Sequence, residues 1–326
     1  MDYFFSFTIY LSMIAVIIIC SILGLFLLYL LIGSFIAFRL AYYNKNDKDI
    51  TYDVLTGVGY DQYHEQMLEL IKGSDILPYE EVSVKSFDNL TLKARLYIID
   101  EKAPVHIQFH GYRGQAVRDF SGGVRLPIES GHNVLLVDQR AHGKSSGHVI
   151  TFGIKERRDV LSWIDFVKSR FGDDVKIVLE GISMGAATVL MASNFDMPNV
   201  KAIFADCPYS SPKEIILKVS RGMGLPDFIA IPLLSFGALF YGHFNWNEAS
   251  AVRSVKESKY PILIIHGLAD RYVPIEMSRK IKEANPSIIL EEFDDAAHGM
   301  SYMVDMERYK CIVKEFVNTN LNKESE

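Results

Sequence analysis

The chain has 326 residues, a formal net charge of −6 and 23% charged residues, with no basic stripe, which argues against nucleic acid as a partner. Its three cysteines, one of them Cys20 inside an apolar stretch, offer no disulfide framework, in keeping with a reducing compartment. There is no H-E-x-x-H, no C-x-x-C and no clustered carboxylate array, so neither a metal nor a cofactor is expected.

From Tyr3 to Phe38 there is no Asp, Glu, Lys or Arg, and Ile, Leu, Phe and Val dominate. A bilayer core needs about 20 apolar residues in a helix. This run exceeds that length, so Tyr3 to Thr8 is expected in the interface, with Phe4, Phe5, Tyr42 and Tyr43 as aromatic anchors. A cleaved signal peptide would carry a basic start, a shorter apolar core and a small-residue cleavage site, none of which is present. A buried core helix fails on length and on having no polar face. Residues 1–43 therefore read as a single membrane anchor. Arg39, Lys45 and Lys48 follow it and no Lys or Arg precedes it, which by the positive-inside rule places the rest of the chain in the cytoplasm, by a margin of three charges.

Residues 44–77 read as a linker, polar from Asn44 to Asp49, and a lead-in helix, Gln62 to Lys72, with Met67, Leu68 and Ile71 at helical spacing. Pro78 opens the main domain, 78–322. Val82 to Phe87 and Leu90 to Ile98, separated by Asp88 and Asn89, predict an antiparallel hairpin. Strand-like runs then follow at Val105 to Phe109, Val134 to Val137, Val175 to Leu179, Ala202 to Ala205, Pro261 to Ile265 and Ile288 to Phe293. They alternate with helical segments such as Lys155 to Arg170, Ala186 to Ser193 and Ile275 to Ala284. That rhythm predicts an α/β fold, a mostly parallel sheet covered by helices on both faces.

Gly181-Ile182-Ser183-Met184-Gly185 is a G-x-S-x-G pentapeptide between a strand and a helix. In that context the serine sits on a sharp turn with its hydroxyl exposed at the helix N-terminus. A serine hydroxyl is a poor nucleophile at neutral pH and needs a base, which in turn needs a carboxylate to hold its tautomer. Downstream, Asp270 lies on the loop leaving Pro261 to Ile265, and His298 on the loop leaving Ile288 to Phe293. Asp206, after Ala202 to Ala205, is the competing acid. Asp294 and Asp295 read as water-exposed loop carboxylates, and His110 and His266 as residues that shape turns. An oxyanion hole needs two donors. The backbone N–H of Met184 supplies one, and the N–H of Tyr112, in the loop after Val105 to Phe109, is assigned the other.

His110-Gly111, the Asp138 to Ser145 loop, the serine elbow, His266-Gly267 with Asp270, and Ala297-His298-Gly299 occur in the order Ser, Asp, His. Over residues 78–320 the chain resembles the α/β-hydrolase superfamily, and within it bacterial membrane-anchored serine hydrolases related to S9/S33 peptidase-like and Bem46-like proteins. Ile182 departs from the polar residue often found at its position. The resemblance implies that the Asp138 loop, His142 included, is a structural brace. It also implies that an insertion between strands six and seven, here about 211–247, is a cap governing substrate access. Phe228 to Gly242, within it, is uncharged and too short for a confident second span. It reads either as a cap helix packed on the core or as an apolar lid lying on the bilayer and accepting acyl chains. The expected activity is hydrolysis of carboxylic esters, with small-molecule or lipid-like esters as substrates. A peptidase or thioesterase using the same residues is the alternative, and a non-catalytic membrane-tethered binding protein the other.

Overall fold

The computed structural model describes residues 2–45, 54, 56–120 and 122–323, and of residues 2–6, 8 and 9 the backbone alone. The side chains of Phe4 and Phe5, and residues 46–53 and 55 of the linker, Lys48 among them, lie outside what it describes.

Short apolar runs pair because each strand must bury both faces. In chain order the strands are β1 (Glu80–Lys85), β2 (Thr91–Tyr97), β3 (Val105–Phe109), β4 (Asn133–Asp138), β5 (Ile177–Ile182), β6 (Val200–Asp206), β7 (Ile262–Gly267) and β8 (Ile289–Phe293). They form one sheet in the order β1-β2-β4-β3-β5-β6-β7-β8. β1–β2 and β2–β4 are antiparallel, and every pairing from β4–β3 to β7–β8 is parallel. All five residues of β3 are buried, as the middle of a sheet covered on both sides requires.

The helices are α1 (Asp2–Ala41), α2 (His64–Asp75), α3 (Ala116–Asp119), α4 (Arg125–Glu129), α5 (Glu156–Phe171), α6 (Met184–Ala192), α7 (Pro212–Gly222), α8 (Asp227–Phe236), α9 (Ala251–Ser254), α10 (Ile275–Ala284), α11 (Ser301–Val304) and α12 (Met306–Leu321). Alternate residues of the strands divide between the two faces. Ile107, Phe109, Leu179, Ile203 and Ile264 pack with α5, α6 and α10. Val178, Phe204, Leu263 and Ile265 pack with α12, while Val134 and Leu136 pack with α2 and α3. At the front of the sheet, Arg140 is buried and forks between Asp159 (2.6 and 2.7 Å) and Asp88 (2.9 and 3.1 Å). It ties the Asp138 loop to α5 and to the β1–β2 turn.

Most elements shift by one to three residues from the sequence reading, and two differences matter most. β5 starts two residues later than its apolar run and continues through polar Glu180 and Gly181, because Glu180 is paired across the sheet by Gln108 (2.6 Å) and His106 (2.6 Å) on β3. α1 runs on to Ala41, and Tyr42 is an interior residue with no exposure, edge-on to Phe152 and Phe244. Tyr42 is therefore a core side chain and not an interfacial anchor. Arg39 lies 3.6 Å over the Tyr43 ring, which stacks on His148. Along α1, Tyr10–Ala41 is long and apolar enough to cross a membrane, with a mean hydropathy of 3.0. The insertion folds as α7, α8 and one π-helical turn, Gly237–Tyr241, and it docks against the last turns of α1.

Candidate active site

β5 ends in a turn that places Ser183 at φ 56°, ψ −113°, a conformation costly for a residue with a Cβ and held here by its surroundings. The surroundings are two close approaches. A Cβ on Gly181 would collide with the Gly185 backbone, and one on Gly185 with the Phe109 carbonyl. The turn is locked by Ser183 N–H donating to the Asp206 carbonyl at 2.8 Å. Met184 then opens α6, so its N–H belongs to the unpaired first turn of a helix, with the positive end of the helix dipole behind it.

Three strands deliver three side chains to one point. His298 Nε2 lies 2.9 Å from Ser183 Oγ, and His298 Nδ1 lies 2.7 Å from Asp270 Oδ2. The other oxygen of Asp270 accepts the N–H groups of Tyr272 and Val273, each at 2.8 Å. His266, also buried, sits 3.2 Å from Asp270 Oδ2. Burial alone would raise the Asp270 carboxyl, but hydrogen bonds from His266 and His298 outweigh it and hold the carboxyl well below the ordinary range. It is thus ionised across the physiological range and aimed at the imidazole.

The rival acid also lines the cavity beside Ser183 and His298 but is bonded away from the imidazole. Asp206 Oδ2 accepts from Tyr309 Oη at 2.8 Å, and burial pushes its carboxyl up to about 6 despite that bond. Asp294 and Asp295 are exposed. His110 shapes its turn by donating from Nδ1 to the Gly111 carbonyl (2.8 Å) and accepting the Gln139 N–H (3.1 Å) at Nε2. His266 binds Ser278 and the Val273 carbonyl.

The loop after β3 crosses beside the serine, since a Cβ on Gly111 would stand 3.5 Å from Ser183 Cβ. Asp119 Oδ2 accepts the Gly111 N–H at 2.9 Å, and His142 Nε2 accepts the Arg113 N–H at 3.0 Å, so the backbone around Tyr112 is fixed from both sides. The same loop reaches the end of α1. Tyr112 Oη donates to the Ala41 carbonyl (2.8 Å), and Arg113 Nη2 to the carbonyls of Leu40 (2.8 Å) and Tyr43 (3.0 Å). These side chains satisfy carbonyls that a helix C-terminus leaves open.

Ser183, His298, Gly111 and Tyr112 line a cavity of about 380 Å³. Its walls are mainly apolar, with Met67 and Ile71 from α2, Phe120, Leu126, Phe204, Tyr302, Met303 and Val313. Among the described residues, none of 211–247 lines it. Val54, Tyr60 and α2 contribute to its lining. Sequence reading missed three residues of the site. Tyr60 donates to the His298 carbonyl at 3.0 Å, its hydroxyl pushed up to about 12 chiefly by burial and then by Asp270. Cys207 is buried at φ 46°, its thiol within 4.8 Å of the Asp270 and His298 ligand atoms. Asp119 is the third. Only the strand-end position of Cys207 gave any signal; Tyr60 reaches the site from a loop and Asp119 from the end of the short helix α3, neither with a motif.

The geometry agrees with what the chain resembles. The profile of the X-Pro dipeptidyl-peptidase (S15) family matches residues 57–229, and that of the prolyl oligopeptidase family matches residues 151–324. The chain belongs to the α/β-hydrolase superfamily. Together with the three converging side chains, this makes it a serine hydrolase. It is 26% identical over 207 residues to the uncharacterised protein YqkD of Bacillus subtilis, covering 62% of this chain and 67% of YqkD. It is 28% identical over 164 residues to the thiohydrolase aneE of Aspergillus aculeatus, a match that spans about half of each chain (49%). The Pyrococcus furiosus esterase Pf2001 superposes with a TM-score of 0.60 at 26% identity, over 76% of this chain and 94% of the esterase.

Proposed function

We propose that this hydrolase cleaves carboxylic esters through an acyl-enzyme, and that α1 anchors it to a membrane. Ser183 Oγ attacks the ester carbonyl as His298 Nε2 takes its proton, and Asp270 holds the imidazole and balances its charge. The N–H groups of Met184 and Tyr112 receive the oxyanion, an interaction worth a few kcal/mol at the transition state. His298 returns the proton to the departing alcohol, and water hydrolyses the acyl-enzyme by the same route.

The observation that carries the ester reading is the apolar cavity opening onto Ser183. A largely apolar cavity of about 380 Å³ suits the acyl or aryl part of a small ester. The esterase Pf2001 and the thiohydrolase aneE are in keeping with acyl transfer to water from oxygen or sulfur. A peptidase is the second reading, favoured by both matching family profiles; the Bem46-like affinity rests on the motifs alone. Arg39, Lys45 and Lys48 support a cytoplasmic catalytic domain.

A fluorophosphonate probe followed by a panel of p-nitrophenyl esters, acyl thioesters and aminoacyl arylamides tests the chemistry. Turnover should be fastest with medium-chain esters, and preference for the arylamides would replace this reading with the peptidase. Labelling of exposed Cys311 by a membrane-impermeant maleimide, in intact cells against inverted vesicles, tests the side of the membrane.

A further inference from the structure

α8 and the π-helical turn are apolar on both sides. Their inner side, with Ala230, Leu233, Leu234, Gly237 and Ala238, is buried. Their outer side carries Phe228 (78% exposed), Leu239 (57%) and Phe240 (56%), with Phe236 stacked on Phe240 at 5.0 Å between ring centroids. No charged residue occurs from 228 to 242. A helix apolar all round belongs inside a protein or in lipid, and a contiguous exposed apolar patch marks a contact surface.

The inner side fixes where this surface sits along α1. Leu233 packs on Gly33, and a Cβ on Gly237 would stand 2.8 Å from the Ser34 carbonyl and 3.2 Å from the Phe38 nitrogen. Tyr241 meets Phe35 edge-on and donates from Oη to the Leu31 carbonyl at 3.2 Å, and Tyr42 Oη donates to the Leu234 carbonyl at 3.3 Å. Ahead of this docked stretch, every residue from Tyr10 to Tyr29 is exposed. At about 1.5 Å per residue these residues alone are long enough to cross the roughly 30 Å hydrocarbon core of a bilayer. The insertion is clamped to α1 just beyond them, from Leu31 to Tyr42.

We propose that the outer face of Phe228, Phe236, Leu239 and Phe240 is a second membrane contact, lying in the boundary between headgroups and acyl chains of the bilayer that α1 crosses. Lipid is the occupant because the patch continues the lipid-facing surface of α1 at the height set by the Leu31 to Tyr42 contacts. The proposal rests on α1 being a membrane anchor. It makes the catalytic domain sit on the bilayer by a clamped helix pair instead of swinging from a tether, as interfacial helices do when they bury one apolar side.

The test reconstitutes the full chain in phosphatidylcholine vesicles whose acyl chains are brominated either near the headgroup or near the methyl end. Single replacements Phe228→Trp, Phe240→Trp, Ile22→Trp in α1 and Ile289→Trp, at the far end of the sheet, are compared with the parent, whose Trp163 and Trp246 give the background. Phe228→Trp and Phe240→Trp should lose emission to shallow bromines, Ile22→Trp to deep ones, and Ile289→Trp to neither. If Ile22→Trp is quenched while both cap tryptophans are untouched, the second contact is refuted and the anchor stands. If Ile22→Trp is unquenched, the anchor reading falls and the proposal falls with it. Cap tryptophans unquenched, and shifting with protein-to-lipid ratio, would instead identify a second copy of the chain on this face and overturn the lipid contact.

Discussion

At the carboxyl ends of β5, β7 and β8, Ser183, His298 and Asp270 are held by directional bonds of 2.7 to 2.9 Å on a strained turn. Where α8 and the π-helical turn meet the end of α1, the contacts are apolar surfaces brought close by Gly33, Ser34 and Gly237, with two tyrosine hydroxyls bonding across. The rim depends on single atoms, so a change there should appear in rate with the fold intact. The clamp depends on area and fit, so a change there should appear in stability and membrane contact. Tyr112 and Arg113 bridge the two, bonding the end of α1 from the loop beside the nucleophile.

The largest expected effect is at the rim. Ser183→Ala should lower turnover by about 10⁴ to 10⁶ and abolish fluorophosphonate labelling with an unchanged melting temperature; labelling that survives would exclude Ser183 as nucleophile. Next, Asp270→Asn should lower kcat by about 10⁴ through a misplaced tautomer, while Asp206→Asn should leave kcat within about tenfold. Reversed effects would move the acid to Asp206.

The clamp should respond differently. Tyr42→Ala removes an aromatic side chain with no exposure and should cost about 3 to 5 kcal/mol, read as a lowered denaturant midpoint in detergent. A chain truncated before Asn46 loses both Tyr42 and Phe38 from the core, so it should be less stable than the full chain and not simply a soluble version of it. Gly237→Val forces α8 off Ser34 and should cost about 1 to 3 kcal/mol by the same measurement. Full activity with unchanged stability in either substitution would mean that the clamp is not part of the folded unit.

The smallest effect is a pH dependence. Burial holds Asp206 up to about 6 against an ordinary 3.8, so between those values the folded state keeps a proton that the unfolded state gives up. The stability tied to that proton is complete below about pH 4 and is lost as the pH rises through 6, amounting to about 3 kcal/mol at most. The difference in unfolding free energy between wild type and Asp206→Asn should therefore shift against the wild type across that window. A difference flat from pH 4 to 7 would show that Asp206 titrates normally.

Much of this molecule was readable along the chain. The strand Val105–Phe109, the core Ala202 to Ala205 of the strand Val200–Asp206, and the helix Ile275–Ala284 declare themselves because apolar periodicity is a local property. The superfamily resemblance was readable in the ordered motifs around Ser183, Asp270 and His298, since each sits immediately after a strand that sequence can locate. Asp270 was preferred to Asp206 along the chain as well, but the physical reason came from the fold, because both follow strands and the path of the β8 loop decides which carboxylate His298 meets. Tyr60 and Asp119 were invisible because a loop and a one-turn helix, too short to show a pattern, bring them to the site. The fate of Phe228 to Gly242 was equally undecided, for composition registers an apolar segment without naming what covers it. Only the tertiary structure showed that α1 covers one side, through a fit between small residues far apart in the chain, and that α2 contributes to the lining of the cavity.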